Sequence, residues 1–182
     1  ALPQGSLTLL VGRNATGATS LLTALAGRLP LGAVSRGESA VEHRNTTGLT
    51  AAELAGAVRY HGDRPLPELP VRQLTGGVDD RLLADLGLAG VLEWTPGSLD
   101  RQAHAAVRIA HALAGRGCRL LLLDQVLGNL APGHRPIAAR AVADAAAKGT
   151  TVLWADHFIE HALGVADLVL EALPGGEFRL EA

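Results

Sequence analysis

The stretch VGRNATGATSLL, Val11 to Leu22, decides the fold class of this chain. A short apolar run that ends in glycine leads into it, and leucines at helical spacing follow it. A strand, a glycine-rich loop and a helix in this order favour the phosphate-binding pattern G-x-x-x-x-G-K-[ST]. The stretch matches that pattern at Gly12, Gly17 and Thr19, whereas Ala18 stands where the lysine belongs.

The missing lysine leaves two interpretations of the glycine loop. Lys148 is the only lysine in the sequence, so no small shift of register supplies the missing charge. Backbone N–H groups at the start of the helix could still cradle a phosphate. The same residues also fit an ordinary glycine turn that opens a core helix, and the motif alone leaves both interpretations open.

The composition of the 182 residues is that of one globular domain, with 48% hydrophobic and 19% charged residues. A formal net charge of -2 gives no general attraction to nucleic acid. No apolar run reaches the roughly 18 residues of a membrane span, so we expect any link to a membrane to pass through a partner. The single cysteine, Cys118, and the lack of a signal peptide favour a cytoplasmic location. Because the sequence has no methionine and starts at Ala1, we expect upstream residues to be missing.

Apolar strands and amphipathic helices alternate along the chain, which predicts an α/β fold with a mainly parallel sheet. The apolar runs CRLLLLD and TTVLWADH are typical of parallel strands that are covered on both faces. Two long helices are expected over 99–114 and 134–149, with two short strands at the end of the chain.

The intervening segments give further local predictions. Thr50, with Glu53 three residues later, predicts a short capped helix, and VDDRLLADLGLAGVL predicts a pair of short helices. The polar segment 33–50 predicts a small hairpin or an irregular excursion. Two tryptophans are expected to pack inside the fold, Trp94 and Trp154.

Five segments in a fixed order carry a resemblance to a known family. After the glycine loop come VRYHGDRP at 58–65, LDRQAHAAVRIAHAL at 99–113, LLLLDQV with LGNLAP at 120–132, and TVLWADH at 151–157. The series resembles the ATPase domains of ATP-binding cassette (ABC) transporters. The resemblance implies a P-loop NTPase-like fold, in which helices flank a mainly parallel sheet. It also implies one domain over 1–182, an inserted helical subdomain at about 66–113, and N-terminal strands that are missing or trimmed here.

The resemblance assigns roles to individual positions. The implied ligands are ATP and Mg2+, and the metal would be held by Thr19 and Asp124. Three positions would belong to the catalytic machinery: Gln125 in place of the glutamate that polarises water, His157 as a contact to the γ-phosphate, and Asp63 in place of a glutamine. The phosphate-loop positions would be Gly12, Asn14, Gly17, Ala18, Thr19 and Ser20.

Several of these positions carry residues that are poorly suited to hydrolysis. Ala18 brings no positive charge to the phosphates, and the amide of Gln125 accepts a proton poorly. In the family, a serine and glycines before the long helix contact the nucleotide of a partner subunit, whereas DRQA at 100–103 would repel phosphate here. Ala131 stands at the position of an aspartate that contacts the partner. We therefore expect a degenerate cassette with a structural or regulatory role and little or no ATP hydrolysis.

The implied partners are a membrane-spanning transporter subunit, a second ABC ATPase subunit, or both. Such partners would place the chain at the inner face of the cell membrane. The proline-rich segment DRPLPELP at 63–70 lies where the family grips its membrane subunit. Two other functions stay open: an active ATPase that powers transport, and an interaction module for which nucleotide is irrelevant.

Overall fold

A six-stranded sheet forms the frame of the computed structural model, which describes residues 1–12, 16–34, 36–115, 117–173, 175 and 177–181. The order across the sheet is β4-β5-β6-β1-β7-β8. The first five strands in that order are parallel, and β8 pairs antiparallel with β7. The strands are β1 (Leu7–Gly12), β4 (Val58–His61), β5 (Leu120–Asp124), β6 (Thr151–Ala155), β7 (Leu168–Ala172) and β8 (Phe178–Glu181).

Helices connect these strands, and a small hairpin forms a second sheet. The hairpin strands are β2 (Ala40–Val41) and β3 (Arg44–Asn45). The helices are α1 (Ala18–Leu25), α2 (Val71–Leu74), α3 (Asp80–Asp85), α4 (Arg101–Leu113), α5 (Arg135–Ala147) and α6 (Ile159–Leu163). In the part of the chain that the structure describes, none of these helices is long and apolar enough to cross a membrane.

The sheet is covered on both faces, as the apolar runs predicted. Every residue of β5 is buried, because alternate leucines face opposite sides. Leu121 and Leu123 pack in the cluster that holds α4 and α5, and Leu122 packs with Leu22 of α1 on the other side. The mainly parallel α/β fold with flanking helices is therefore confirmed.

Three local predictions differ from the structure. Residues 51–57 form turns instead of a helix, although Thr50 N donates to Glu53 Oε2 at 2.8 Å as a capping box requires. Gly56 adopts a φ of 88°, which ends the turns and leads directly into β4. Only α3 forms within 78–92, since Gly87 at φ 77° starts a turn where the second helix was expected. Trp94 is 51% exposed, whereas Trp154 is fully buried as predicted.

The start of β1 is held by a carboxylate from the segment before β7. Asp167 Oδ2 accepts from Leu7 N at 2.8 Å, and Asp167 N donates to Leu7 O at 2.9 Å. Leu7 is fully buried, so its N–H has no access to water as a substitute partner. This contact fixes the register of the strand that leads to the glycine loop.

Replacing Asp167 with alanine should therefore lower the free energy of unfolding by about 1 to 2 kcal/mol, because it leaves a buried N–H without an acceptor. The measurement is urea denaturation followed by circular dichroism. Asp167→Asn keeps an oxygen acceptor, so its free energy of unfolding should fall less than that of Asp167→Ala. The control is Glu38→Ala, which removes an exposed carboxylate elsewhere; equal stability of Asp167→Ala and this control would contradict the prediction.

Candidate functional site

Neighbouring parallel strands end at one edge of the sheet, and the polar residues that follow them meet there. Strands β4, β5, β6 and β1 are adjacent and point the same way. Ligand sites of open α/β sheets lie beyond the carboxyl ends of the strands. The candidate site is therefore built from the segments that leave these four strands.

The turn from β1 into α1 depends on two glycines. A Cβ on Gly12 would lie 2.6 Å from Thr16 Oγ1 and 2.9 Å from Ala172 Cβ, so only glycine fits at the end of this strand. Gly17 has a φ of 94° and is the N-cap residue of α1. The predicted phosphate-loop residue Asn14 lies outside the described residues.

The first turn of α1 is formed by Ala18, Thr19 and Ser20. The helix itself does not use the N–H groups of its first turn, which carry a partial positive charge. Among the described residues, no side chain caps this end of α1 and no acidic residue lies in its first turn. This end of the helix has the backbone chemistry of a phosphate cradle but lacks the lysine that would strengthen it.

Thr19 and Asp124 are brought together as the sequence predicted. Thr19 Oγ1 donates to Asp124 Oδ1 at 3.2 Å, and Asp124 is only 6% exposed at the end of β5. A hydroxyl and a carboxylate are hard oxygen ligands of the kind that Mg2+ prefers, so this pair fits the metal that accompanies a nucleotide. No group of three or more His, Cys, Asp and Glu side chains within the described ranges could hold a metal ion.

Tyr60 contacts the same carboxylate, which the sequence did not predict. Its hydroxyl donates to Asp124 Oδ2 at 2.9 Å. Burial, followed by the negative charge of Asp124, raises the pKa of Tyr60, so the phenol stays protonated and donates. The only signal in the sequence is that the sole tyrosine lies near the end of a predicted strand.

Gln125 lies directly beyond β5 in a strained backbone conformation. Its φ is 53°, in the left-handed region that costs a residue other than glycine about 1 kcal/mol or more. Its N–H donates to Ala155 O at 2.7 Å, which ties the end of β5 to the end of β6. The side chain is exposed and lines the same cleft as Asp124.

His157 is exposed beyond β6, and the residue before it organises the segment. Asp156 is 9% exposed, and its carboxylate accepts from Leu127 N at 2.9 Å and from His157 N at 2.8 Å. It also accepts from Phe158 N at 3.2 Å and from Trp154 Nε1 at 3.4 Å. Asp156 is thus a positioning residue that the sequence analysis did not single out.

Asp63 is exposed on the loop after β4, and this loop is pinned to α4. Arg108 Nη1 donates to Gly62 O and, at 2.8 Å, to Arg64 O. Burial lowers the pKa of Arg108, and the nearby negative charge of Asp63 opposes that shift. The position that resembles the family's glutamine is therefore held close to the long helix.

Asp100 caps the helix that it precedes. Its Oδ1 accepts from Ala103 N at 2.8 Å, so the carboxylate occupies the N-terminus of α4. A phosphate approaching that helix end would meet a carboxylate already bonded there.

A cleft of about 710 Å3 joins these elements. Its lining includes five residues predicted as site residues: Thr19, Asp63, Asp124, Gln125 and His157. Four arginines and four aspartates line it: Arg28, Arg64, Arg101, Arg108, Asp63, Asp100, Asp124 and Asp156. Of the described phosphate-loop positions, the cleft lining does not include Gly12, Gly17, Ala18 and Ser20.

Two histidines pack beside this cleft. The rings of His61 and His111 lie edge to face with centroids 5.2 Å apart, and Arg59 Nη2 donates to His111 O at 3.2 Å. Partial burial, followed by the charges of Arg59, His111, Arg108 and Arg28, lowers the pKa of His61 to about 3. His61 is therefore neutral in the folded protein near pH 5, where an exposed histidine would be protonated.

Comparison with curated proteins finds two relatives from Streptomyces. An ABC transporter ATP-binding protein of Streptomyces avermitilis is 28% identical over 98% of this chain and 36% of its own length. A protein of the same description from Streptomyces coelicolor is 28% identical over 96% of this chain and 34% of its own length. The chain thus spans about a third of the length of these relatives. No protein-family model matches the chain.

Comparison with solved structures identifies the fold. A nucleotide-free ATP-binding cassette from an ABC transporter is similar with a TM-score of 0.78, over 97% of this chain and 80% of that chain. The two sequences are 21% identical. This chain therefore has the fold of an ABC transporter ATP-binding cassette.

The lowered pKa of His61 predicts how stability changes with pH. Between about pH 3 and 6.5 the unfolded chain binds a proton at this position and the folded chain does not, so stability falls as pH is lowered through this window. Between pH 7 and pH 5, the free energy of unfolding should therefore fall by about 2 kcal/mol more in wild type than in His61→Gln, which lacks this group. Urea denaturation at pH 7 and at pH 5 measures the free energy of unfolding of each protein. His43→Asn, an exposed histidine in the hairpin turn, is the control; the same pH dependence in wild type and His61→Gln would contradict the assignment.

Proposed function

We propose that this chain is a degenerate nucleotide-binding cassette of an ABC protein, which binds ATP or ADP with little or no hydrolysis. The observation that carries the proposal is the pairing of Thr19 with Asp124 at 3.2 Å, beside the start of α1. An ordinary glycine turn requires no such pairing between residues 105 positions apart. The similarity to cassettes named as ATP-binding supports the same proposal.

The chain's own residues would hold the nucleotide by backbone and oxygen contacts. The N–H groups of Ala18, Thr19 and Ser20 at the helix start would donate to phosphate oxygens, together with the N–H of Gly17. The hydroxyl of Thr19 and the carboxylate of Asp124 would hold Mg2+, which supplies positive charge to the phosphates when bound. Gly12 permits the close packing of the end of β1 against Thr16 and Ala172.

Hydrolysis would lack two contributions. Ala18 offers no cation to the outer phosphates, where charge builds up in the transition state. Gln125 can orient a water molecule but cannot accept its proton, and general-base help commonly contributes a factor of about 10² to 10⁴. His157 and Asp63 remain at the rim of the cleft as contacts to phosphate or water.

The chain is also poorly equipped to complete the site of a partner cassette. Asp100 is bonded to the N-terminus of α4, so that helix end offers a carboxylate where phosphate would need donors. Ala131 has no polar side chain for a contact across a dimer. The proposed role is therefore structural or regulatory within a larger assembly.

The proposed partners are a membrane-spanning transporter subunit and a second ABC ATPase subunit, with the chain at the cytoplasmic face of the membrane. Leu69 in the proline-rich segment is 45% exposed and Trp94 is 51% exposed. The backbone bond from Val71 N to Trp94 O, at 2.9 Å, keeps these two segments together. This apolar surface also favours the second candidate function, an interaction module that works without nucleotide.

Calorimetric titration with ATP and ADP tests the proposal. The unaltered chain should bind nucleotide in the sub-millimolar range through the backbone cradle, and Ala18→Lys should bind at least tenfold more tightly because it adds a charge at the phosphates. The matched control is Ala147→Lys, which adds the same charge at an exposed position of α5. Failure of both the unaltered chain and Ala18→Lys to bind would reject the phosphate-loop assignment and favour the interaction module.

The rate of ATP hydrolysis separates a degenerate cassette from an active one. Phosphate release by the unaltered chain should stay at background, whereas the double variant Ala18→Lys with Gln125→Glu should show measurable turnover. Adding Asp124→Asn to the double variant should abolish that turnover, because the metal loses its carboxylate. Magnesium-dependent turnover by the unaltered chain, lost in Asp124→Asn, would instead establish the active ATPase.

A further inference from the structure

We propose that Tyr60 is a positioning residue that competes with a divalent cation for the Asp124 carboxylate, so that the site binds its cation more weakly than Thr19 and Asp124 alone would allow. The inference rests on the proposed function, because it concerns the same Asp124 carboxylate. It makes a separate claim, since it assigns the weakened affinity for the cation to the hydroxyl group of Tyr60. Nothing in the sequence motif specifies this residue.

The contacts of Asp124 carry the first step. Both carboxylate oxygens accept a hydroxyl within the protein, Oδ1 from Thr19 at 3.2 Å and Oδ2 from Tyr60 at 2.9 Å. A threonine hydroxyl that donates to Asp124 still has lone pairs with which to bind a cation. The phenol of Tyr60 uses the carboxylate itself and occupies space beside it in the cleft. A cation that binds Asp124 Oδ2 would therefore compete with this phenol for the carboxylate.

The backbone after β4 passes beside the phenol ring. A Cβ on Gly62 would lie 2.7 Å from Tyr60 Cζ, so the chain at Gly62 lies close to the ring. The carbonyl groups of Gly62 and Arg64 both accept from Arg108 on α4. The loop that lies beside Tyr60 is therefore bonded to the long helix.

The cleft carries both signs of charge, since four arginines and four aspartates line it. In the part of the chain that the structure describes, no ion pair engages the cleft arginines, Arg28, Arg64, Arg101 and Arg108. These guanidinium groups can pair with phosphate or carboxylate groups of a ligand, and their positive charge weakens the attraction of the aspartates for a cation.

The test uses Mn2+ alone as the probe, measured by electron paramagnetic resonance on the full chain without nucleotide. Tyr60→Phe keeps the ring and removes only the hydroxyl, and it should bind Mn2+ at least tenfold more tightly than wild type. Asp124→Asn in the Tyr60→Phe background should abolish that gain. Asn129→Ala, which alters the cleft lining away from the carboxylate, should bind Mn2+ as wild type does. Circular dichroism and a thermal melt check that each variant is folded.

Equal Mn2+ affinity of wild type and Tyr60→Phe would overturn the inference, and so would a gain that survives Asp124→Asn. A second arm measures ADP binding by calorimetry, with EDTA and with Mg2+. Mg2+ should tighten ADP binding more in Tyr60→Phe than in wild type. If neither protein binds ADP, the proposed nucleotide function fails, while the Mn2+ arm still decides the role of Tyr60.

Discussion

The buried carboxylate of Asp124 is the group on which the organisation of the sheet edge depends. It lies at the end of the interior strand β5 with only 6% of its surface exposed, so it requires partners within the protein. Its partners are the hydroxyl group of Thr19 on α1 and the hydroxyl group of Tyr60 on β4. One carboxylate thus connects the helix after the glycine loop to the strand at the edge of the sheet.

Two other carboxylates that line the cleft also accept N–H groups of the chain, the buried Asp156 and the exposed Asp100. Asp156 accepts N–H groups from the segments after β5 and β6, and Asp100 accepts one from the start of α4. In each case a negative charge is balanced by donors of the chain itself. Ligands that bring their own donors or cations must compete with these internal bonds, which have already organised the backbone around the cleft.

Sequence patterns predicted the parts of the fold that depend on local periodicity and burial. The leucines of β5 and the alternation of strands and helices specified a covered parallel sheet, and the glycine loop placed Thr19 near a strand-end aspartate. The capping box at Thr50 predicted a helix that does not form, because the chain turns into β4 within a few residues. The contacts of Tyr60 and Asp156 could not be predicted, since they depend on the register of strands that are distant in sequence.

The coupling between the loop after β4 and α4 follows from the position of Arg108. Its guanidinium bonds two loop carbonyls, and the same loop packs against the phenol that reaches Asp124. A displacement of α4 would have to break these bonds or move the loop that lies beside the phenol. The hydrogen bonds of a single arginine thus connect the long helix to the surroundings of the Asp124 carboxylate.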